Sequence, residues 1–120
     1  MYQVLYYTDK NGKNPVKDYL EKLASENSKD SRIKASKIYA CITHLEKFGP
    51  NAKEPHAKHL KNNIWELRPL RNRILYAAWT NNRFVLLHIF MKDTQKTPRR
   101  EIEQAERNLT DFVERSTYDE

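Results

Sequence analysis

Asn81 and Asn82 stand between two runs, 73–80 and 83–92, that are rich in β-branched, aromatic and aliphatic residues. Asparagine tolerates the left-handed conformation that two-residue hairpin loops require, so the pair predicts a tight antiparallel hairpin. A loop of that length also sets a register: Thr80 opposite Arg83, Tyr76 opposite Leu87, Leu75 opposite His88, and Arg73 opposite Phe90. Side chains alternate along a strand. Ile74, Tyr76, Ala78, Val85, Leu87, Ile89 and Met91 are therefore expected on one face, with Arg73, Leu75, Trp79, Leu86, His88 and Phe90 on the other. The first face is wholly apolar and should carry helices. The second has an apolar centre with Arg73, His88 and, by parity, Lys92 around it.

The remaining elements follow from local signals. Residues 64–68 (Ile-Trp-Glu-Leu-Arg) form a third strand-like run, cut from the next by Pro69. Tyr2 to Tyr7 reads as a strand ending at a turn cluster around Gly12. Asn14-Pro15 supplies a cap and a first-turn proline, and Val16, Tyr19, Leu20 and Leu23 repeat at helical spacing, which predicts a helix over 15–26. After a polar break at 27–30, Ile38, Cys41, Ile42, Leu45 and Phe48 continue the helical period until Gly49-Pro50 stops it. Residues 51–63 are polar and basic without a clean period and read as a loop. Thr97-Pro98 opens a last helix over about 98–115, with Ile102, Ala105, Leu109, Phe112 and Val113 on one stripe. The expected fold is one α+β domain over 1–120: a small antiparallel sheet of about four strands, two N-terminal helices and a C-terminal helix, helices mostly on one side.

Composition narrows what such a domain can do. A chain of 120 residues supports one core without staples, and its single cysteine, Cys41, excludes a disulfide framework or a Cys-rich metal site. No apolar run approaches the roughly 18 residues a membrane span needs, and the N-terminus lacks the basic and small-residue marks of a signal peptide. No membrane partner is expected, and the location expected is cytoplasmic. With only Gly12 and Gly49 there is no glycine-rich phosphate loop, and no serine sits in a nucleophile elbow. His56 and His59 lie three apart without a third ligand in convincing spacing, and His44 sits among helix residues as a structural or exposed group. No metal or cofactor is expected.

The basic excess, 22 Lys and Arg against 16 Asp and Glu for a net charge of +6, is unevenly placed. Arg68, Arg71, Arg73, Lys92 and Lys96, with Arg99 and Arg100 after them, all come from strands or their immediate exits. Any one of them alone reads as a solvated strand end. Together they suggest a site, because Arg73 and Lys92 on neighbouring strands would repel unless an anion or an acidic partner sat between them. A phosphate suits that position. Trp79 and Phe90 are candidates for stacking on RNA bases, and core packing is an equal alternative for both.

The strings 64–68 and 73–76, the stretch 87–92 (Leu-His-Ile-Phe-Met-Lys) and the Thr94-Gln95-Lys96-Thr97-Pro98 approach to a Glu/Ala-rich helix occur together and in order. This combination resembles the HigB-type branch of the RelE toxin superfamily, often labelled phage-derived toxins. The resemblance implies a RelE-like fold and a type II toxin–antitoxin toxin. Such a toxin cleaves mRNA on the ribosome, through the small subunit, and is neutralised by a HigA-like helix-turn-helix antitoxin. It implies attack of a ribose 2′-OH on the adjacent phosphate, without a metal. Carried over by position, Arg73 clamps the scissile phosphate, Arg68 assists, and Lys92 serves as acid or charge stabiliser. RNA contacts are expected from Lys58, His59, Arg71, His88, Lys96 and Arg99, with His88 also a possible proton carrier. Asp93 stands where relatives commonly have a second lysine, and Tyr118 is the one tail tyrosine that could reach the site. The competing reading is a noncatalytic basic module that binds nucleic acid or a partner.

Overall fold

The computed structural model describes residues 1–119, with side chains described through Ser116. Five strands and three helices follow in the order β1 (Gln3–Tyr6), α1 (Pro15–Ser25), α2 (Lys29–Phe48), β2 (Ala57–Lys61), β3 (Ile64–Leu67), β4 (Asn72–Ala78), β5 (Arg83–Met91) and α3 (Arg99–Asp119). The α+β class and both N-terminal helices match expectation. Asn14 Oδ1 accepts from the Lys17 amide at 3.1 Å, and Val16, Leu20 and Leu23 are the buried stripe of α1. Helix α2 starts earlier than its apolar repeat shows. Ser28 caps it by accepting from the Ser31 amide at 3.1 Å, and of residues 29–37 only Ser31 is buried, so the first two turns carry almost no core pattern. Gly49 ends it with φ of 51°, and a Cβ there would come within 2.5 Å of the Tyr2 ring.

The strands form one sheet in the order β1-β5-β4-β3-β2. It is mixed: β1 lies parallel to β5, and the other neighbours are antiparallel. The stretch expected as a loop over 51–63 contains β2, an edge strand whose Lys58, His59 and Lys61 are exposed. Lysines on an outer strand discourage edge-to-edge pairing, and they also hid its period.

The hairpin turns where expected. Asn81 and Asn82 have φ of 45° and 64°, and the Arg83 amide donates to Thr80 O at 3.1 Å. The register beyond it is corrected near the loop. Ala78 pairs with Phe84 and Tyr76 with Leu86 instead of Leu87, and a bulge in β5, where Leu87 is the extra residue opposite the Leu75–Tyr76 step of β4, restores the expected pairs Leu75 with His88 and Arg73 with Phe90. Because one residue of slip reverses faces, Phe84 and Leu86 join Ile74 and Tyr76 under α1 and α2. Val85 and Leu87 join Leu75 and Ala77 under α3. The helices therefore cover both sides of the sheet, not one, and each side has its own core.

Candidate functional site

The ends of β3, β4 and β5 that lie away from the hairpin loop carry most of the expected cations. Arg73, the second residue of β4, has its guanidinium tied down. Its Nη1 donates to Leu70 O and to Asn72 O, each at 2.7 Å. The chain makes room for this by turning at Leu70, whose φ is 56°. Arg73 is only 7% exposed, and its Nε is buried without a hydrogen bond. Among the described residues its ion-pair partner is Glu66, with Oε1 at 3.9 Å from that Nε.

Glu66 is the hub of the site and is 3% exposed. It lies on β3 opposite Leu75, so its carboxylate enters the same face as Arg73. Thr97 Oγ1 donates to Glu66 Oε1 at 2.5 Å, and Arg68 Nε stands 3.7 Å from Oε2. Arg68 also reaches Glu54, which is mostly exposed, at 3.5 Å. Burial lowers the Arg73 pKa most; Glu66 raises it and Arg68 lowers it again. An arginine starting so far above neutrality stays charged. One buried carboxylate is thus shared by two guanidiniums, and neither pair is closer than 3.7 Å.

Beside this trio runs a groove of about 500 Å³ lined by Leu70, Arg71, Arg73, Lys92, Asp93, Thr94 and Gln95. Arg71 and Lys92 are held together by backbone: the Lys92 amide donates to Arg71 O at 2.8 Å, and Arg71 Nη2 donates to Lys92 O at 3.2 Å. Among the described residues neither side chain has a carboxylate within ion-pair distance. Arg73 Nη2 likewise has no hydrogen-bond acceptor among them. The groove consequently keeps a surplus of donors and positive charge on a wall that is otherwise fixed, an arrangement suited to an anion.

Of the expected site residues, Arg71, Arg73 and Lys92 share the groove, and Arg68 joins them through Glu66. Lys58 is exposed on β2, opposite Glu66 in register, so it lies at the sheet edge two strands from Arg73. His59 is not part of the site. It pairs with Trp65, its ring lies 5.0 Å from that indole, and its Nε2 is 2.7 Å from Asn62 O. His88 also stays out of the groove, with Nε2 2.8 Å from Glu101 Oε1 and its ring stacked on Phe90. Lys96 is exposed next to Thr97, the residue bound to Glu66. Arg99 is exposed and pairs along α3 with Glu103 at 3.3 Å. Trp79 packs edge-on to Phe112 and under Arg83, at the hairpin end. The Tyr118 side chain lies outside the described residues.

Two participants escaped the sequence reading, Glu66 and Thr97. A charged residue between Trp65 and Leu67 in a strand was the one available signal for Glu66. Among the described residues no three His, Cys, Asp or Glu side chains are grouped to hold a metal, and no helix is long and apolar enough to cross a membrane. A model of the family described as phage-derived protein Gp49-like (DUF891) matches residues 18–110, which takes in every residue of the groove and its hub. No curated protein matches the chain.

Proposed function

The chain belongs to the Gp49-like phage-derived protein family, and on that premise we propose that it is the toxin of a type II toxin–antitoxin system. In this reading it is a metal-independent endoribonuclease that cuts mRNA on the ribosome in the cytoplasm, bound to the small subunit. The observation that carries it is the groove in which Arg73, Arg71 and Lys92 converge with donors unspent. A phosphodiester laid there places its nonbridging oxygens against the guanidinium of Arg73, which is immobilised by Leu70 O and Asn72 O before any substrate arrives. Preorganised donors of this kind stabilise the negative charge that builds up as phosphorus becomes five-coordinate.

The chemistry then needs one proton removed and one supplied. Attack forms the O2′–P bond and breaks the P–O5′ bond, leaving a cyclic phosphate and a free 5′-OH. Asp93 is the one carboxylate among the groove residues, so it takes the base role toward the 2′-OH; Lys92 next to it gives the proton to the departing O5′. Arg68 acts at a distance by sharing Glu66 with Arg73. A HigA-like helix-turn-helix antitoxin neutralises the toxin by bringing acidic groups to the same cations.

A second reading, a noncatalytic module that binds nucleic acid, draws on the partial neutralisation of Arg68 and Arg73 by Glu66. Translating ribosomes separate the two. With purified ribosomes and a defined mRNA, the nuclease yields fragments ending in cyclic phosphate, and Lys92→Ala and Asp93→Asn suppress them. Intact mRNA alongside retained, salt-sensitive RNA binding would leave the binding module as the function.

A further inference from the structure

Strand β5 is longer than the strand beside it. β1 pairs only with its first part, from Gln3 opposite Arg83 to Tyr6 opposite Leu86, and the Tyr7 amide donates to Leu86 O at 2.9 Å before the chain turns away. Just past that point, Asn108 of α3, itself buried, donates from Nδ2 to Leu87 O at 2.9 Å and satisfies one more backbone acceptor. Beyond it the outer side of β5 is open to its end at Met91.

The backbone groups on that open side can be identified. Antiparallel partners alternate between residues that exchange hydrogen bonds and residues that do not. The Lys92 amide donates toward β4, to Arg71 O, so Lys92, Phe90 and His88 turn their backbone groups inward, and Ile89 and Met91 turn theirs outward. Among the described residues nothing pairs with those two N–H and two C=O groups. Neither residue is charged or a proline, so no side chain of the open stretch itself guards against strand addition.

The space beside this edge is a groove of about 580 Å³. Asp18 and Lys22 of α1 form one wall and Gln104 and Asn108 of α3 the other, with His88 and Ile89 at the floor. An edge recessed between two helices is closed to the edge of a second copy, whose own helices would collide with these. It is open to a single extended chain. The lane also has a direction: past Met91 comes Lys92, and with it the cationic groove of the candidate active site.

We infer that the open half of β5 is the docking edge for an extended segment of the partner antitoxin, which adds a strand beside Ile89 and Met91 and carries acidic residues onward to Lys92 and Arg71. The main-chain hydrogen bonds supply affinity by strand addition, and the acidic continuation supplies the match to charge. This rests on the toxin reading above and deepens it. It states how the active-site cations are blocked without the bulk of the antitoxin having to cover them.

The test uses the chain co-expressed with the product of the neighbouring helix-turn-helix reading frame that the toxin reading requires. Hydrogen exchange at the Ile89 and Met91 amides is measured in the free chain and in the complex, and both amides are expected to slow at least tenfold on binding. Met91→Pro removes one outward N–H and leaves the β4 ladder intact. It is expected to weaken the complex at least tenfold, with mRNA cleavage by the free variant unchanged. A neutralised complex in which both amides exchange as fast as in the free chain overturns the inference and spares the toxin reading. A neighbouring protein that forms no complex overturns the inference and the antitoxin reading together, and cleavage on ribosomes is then judged by itself.

Discussion

Glu66 Oε1 stands 3.9 Å from Arg73 Nε, a buried nitrogen with no hydrogen bond, while the same oxygen accepts from Thr97 at 2.5 Å. The carboxylate therefore holds the approach to α3 by a hydrogen bond and the arginine by charge alone. Removing it leaves two guanidiniums facing each other on a covered surface. Breaking a buried pair by deleting one partner costs roughly 3–5 kcal/mol. Glu66→Ala is expected near that range, with a melting temperature lower by roughly 4 °C per kcal/mol. Glu66→Gln keeps an acceptor for Thr97 and loses only the charge, so about half the cost is expected. Thermal unfolding of the two variants checks this; equal losses would mean that the charge alone, and not the Thr97 hydrogen bond, is what matters, and an undiminished Glu66→Gln would mean the reverse.

Arg73 and Lys92 share a groove and differ in how they are held, which separates folding from chemistry. Arg73 is buried and bonded to two carbonyls, whereas Lys92 has no ion pair among the described residues. On the nuclease reading, Lys92→Ala is expected to lower ribosomal mRNA cleavage about 100-fold, the scale of one lost general acid. Its stability should stay within about 0.5 kcal/mol of wild type. Arg73→Ala should lose both activity and stability. A ribosomal cleavage assay run beside urea unfolding checks the pair, and a fully active Lys92→Ala would remove Lys92 from the chemistry.

The history of these elements in the sequence explains what could be read and what could not. The cations were visible because Arg73 and Lys92 flank apolar strand runs whose pairing the Asn81-Asn82 loop already set. The bulge was invisible. Val85, Leu86 and Leu87 are three apolar residues in succession, so either parity buries hydrophobic surface, and no pattern marks where the extra residue falls. β2 was hidden for the opposite reason, since three of its five residues are the basic or imidazole groups that suit an outer strand. Glu66 carries no mark in the sequence beyond a charge inside an apolar run. Only the pairing of Glu66 with Leu75 turns it toward Arg73, and that contact belongs to tertiary structure.

His44 gives the fold an acid-sensitive point. Its ring lies 4.3 Å from that of His56 and 4.6 Å from Phe48, and its Nε2 is buried without a partner. Burial first, and His56 second, hold its pKa below the ordinary histidine value. The folded chain therefore favours neutral His44 more than the unfolded chain does. That contribution is fully present above the unfolded pKa of about 6.5 and is lost as pH falls below it, toward the lower folded pKa. His44→Phe should flatten the fall in melting temperature between pH 7.5 and 5.5. A variant that falls as steeply as wild type would assign the acid sensitivity to other groups.

Tyr7 and Asp111 tie β1 to the last helix and give the opposite window. Tyr7 is 4% exposed, and its hydroxyl donates to Asp111 Oδ2 at 2.6 Å. Arg115 bonds the same oxygen from Nε at 3.1 Å and also Thr8 O. Burial, then the Asp111 hydrogen bond, push the Tyr7 pKa up to about 12, and the same hydrogen bond followed by that from Arg115 lowers the pKa of Asp111. The signs differ. The neutral phenol is favoured in the folded chain, so its contribution holds below pH 10 and is lost as pH rises from about 10 to 12. The Asp111 contribution holds above the ordinary aspartate value near 3.9 and is lost as pH falls through the lowered one. Since the Asp111 side chain is 37% exposed, water screens the pair, and Tyr7→Phe is expected to cost about 1 kcal/mol at pH 7. Melting curves of wild type and Tyr7→Phe at pH 7, 9 and 10.5 measure it: the gap between them should be constant up to pH 9 and shrink at 10.5. A gap that widens at 10.5 would show that the phenolate is the form the fold prefers, which the hydrogen bond to a carboxylate forbids.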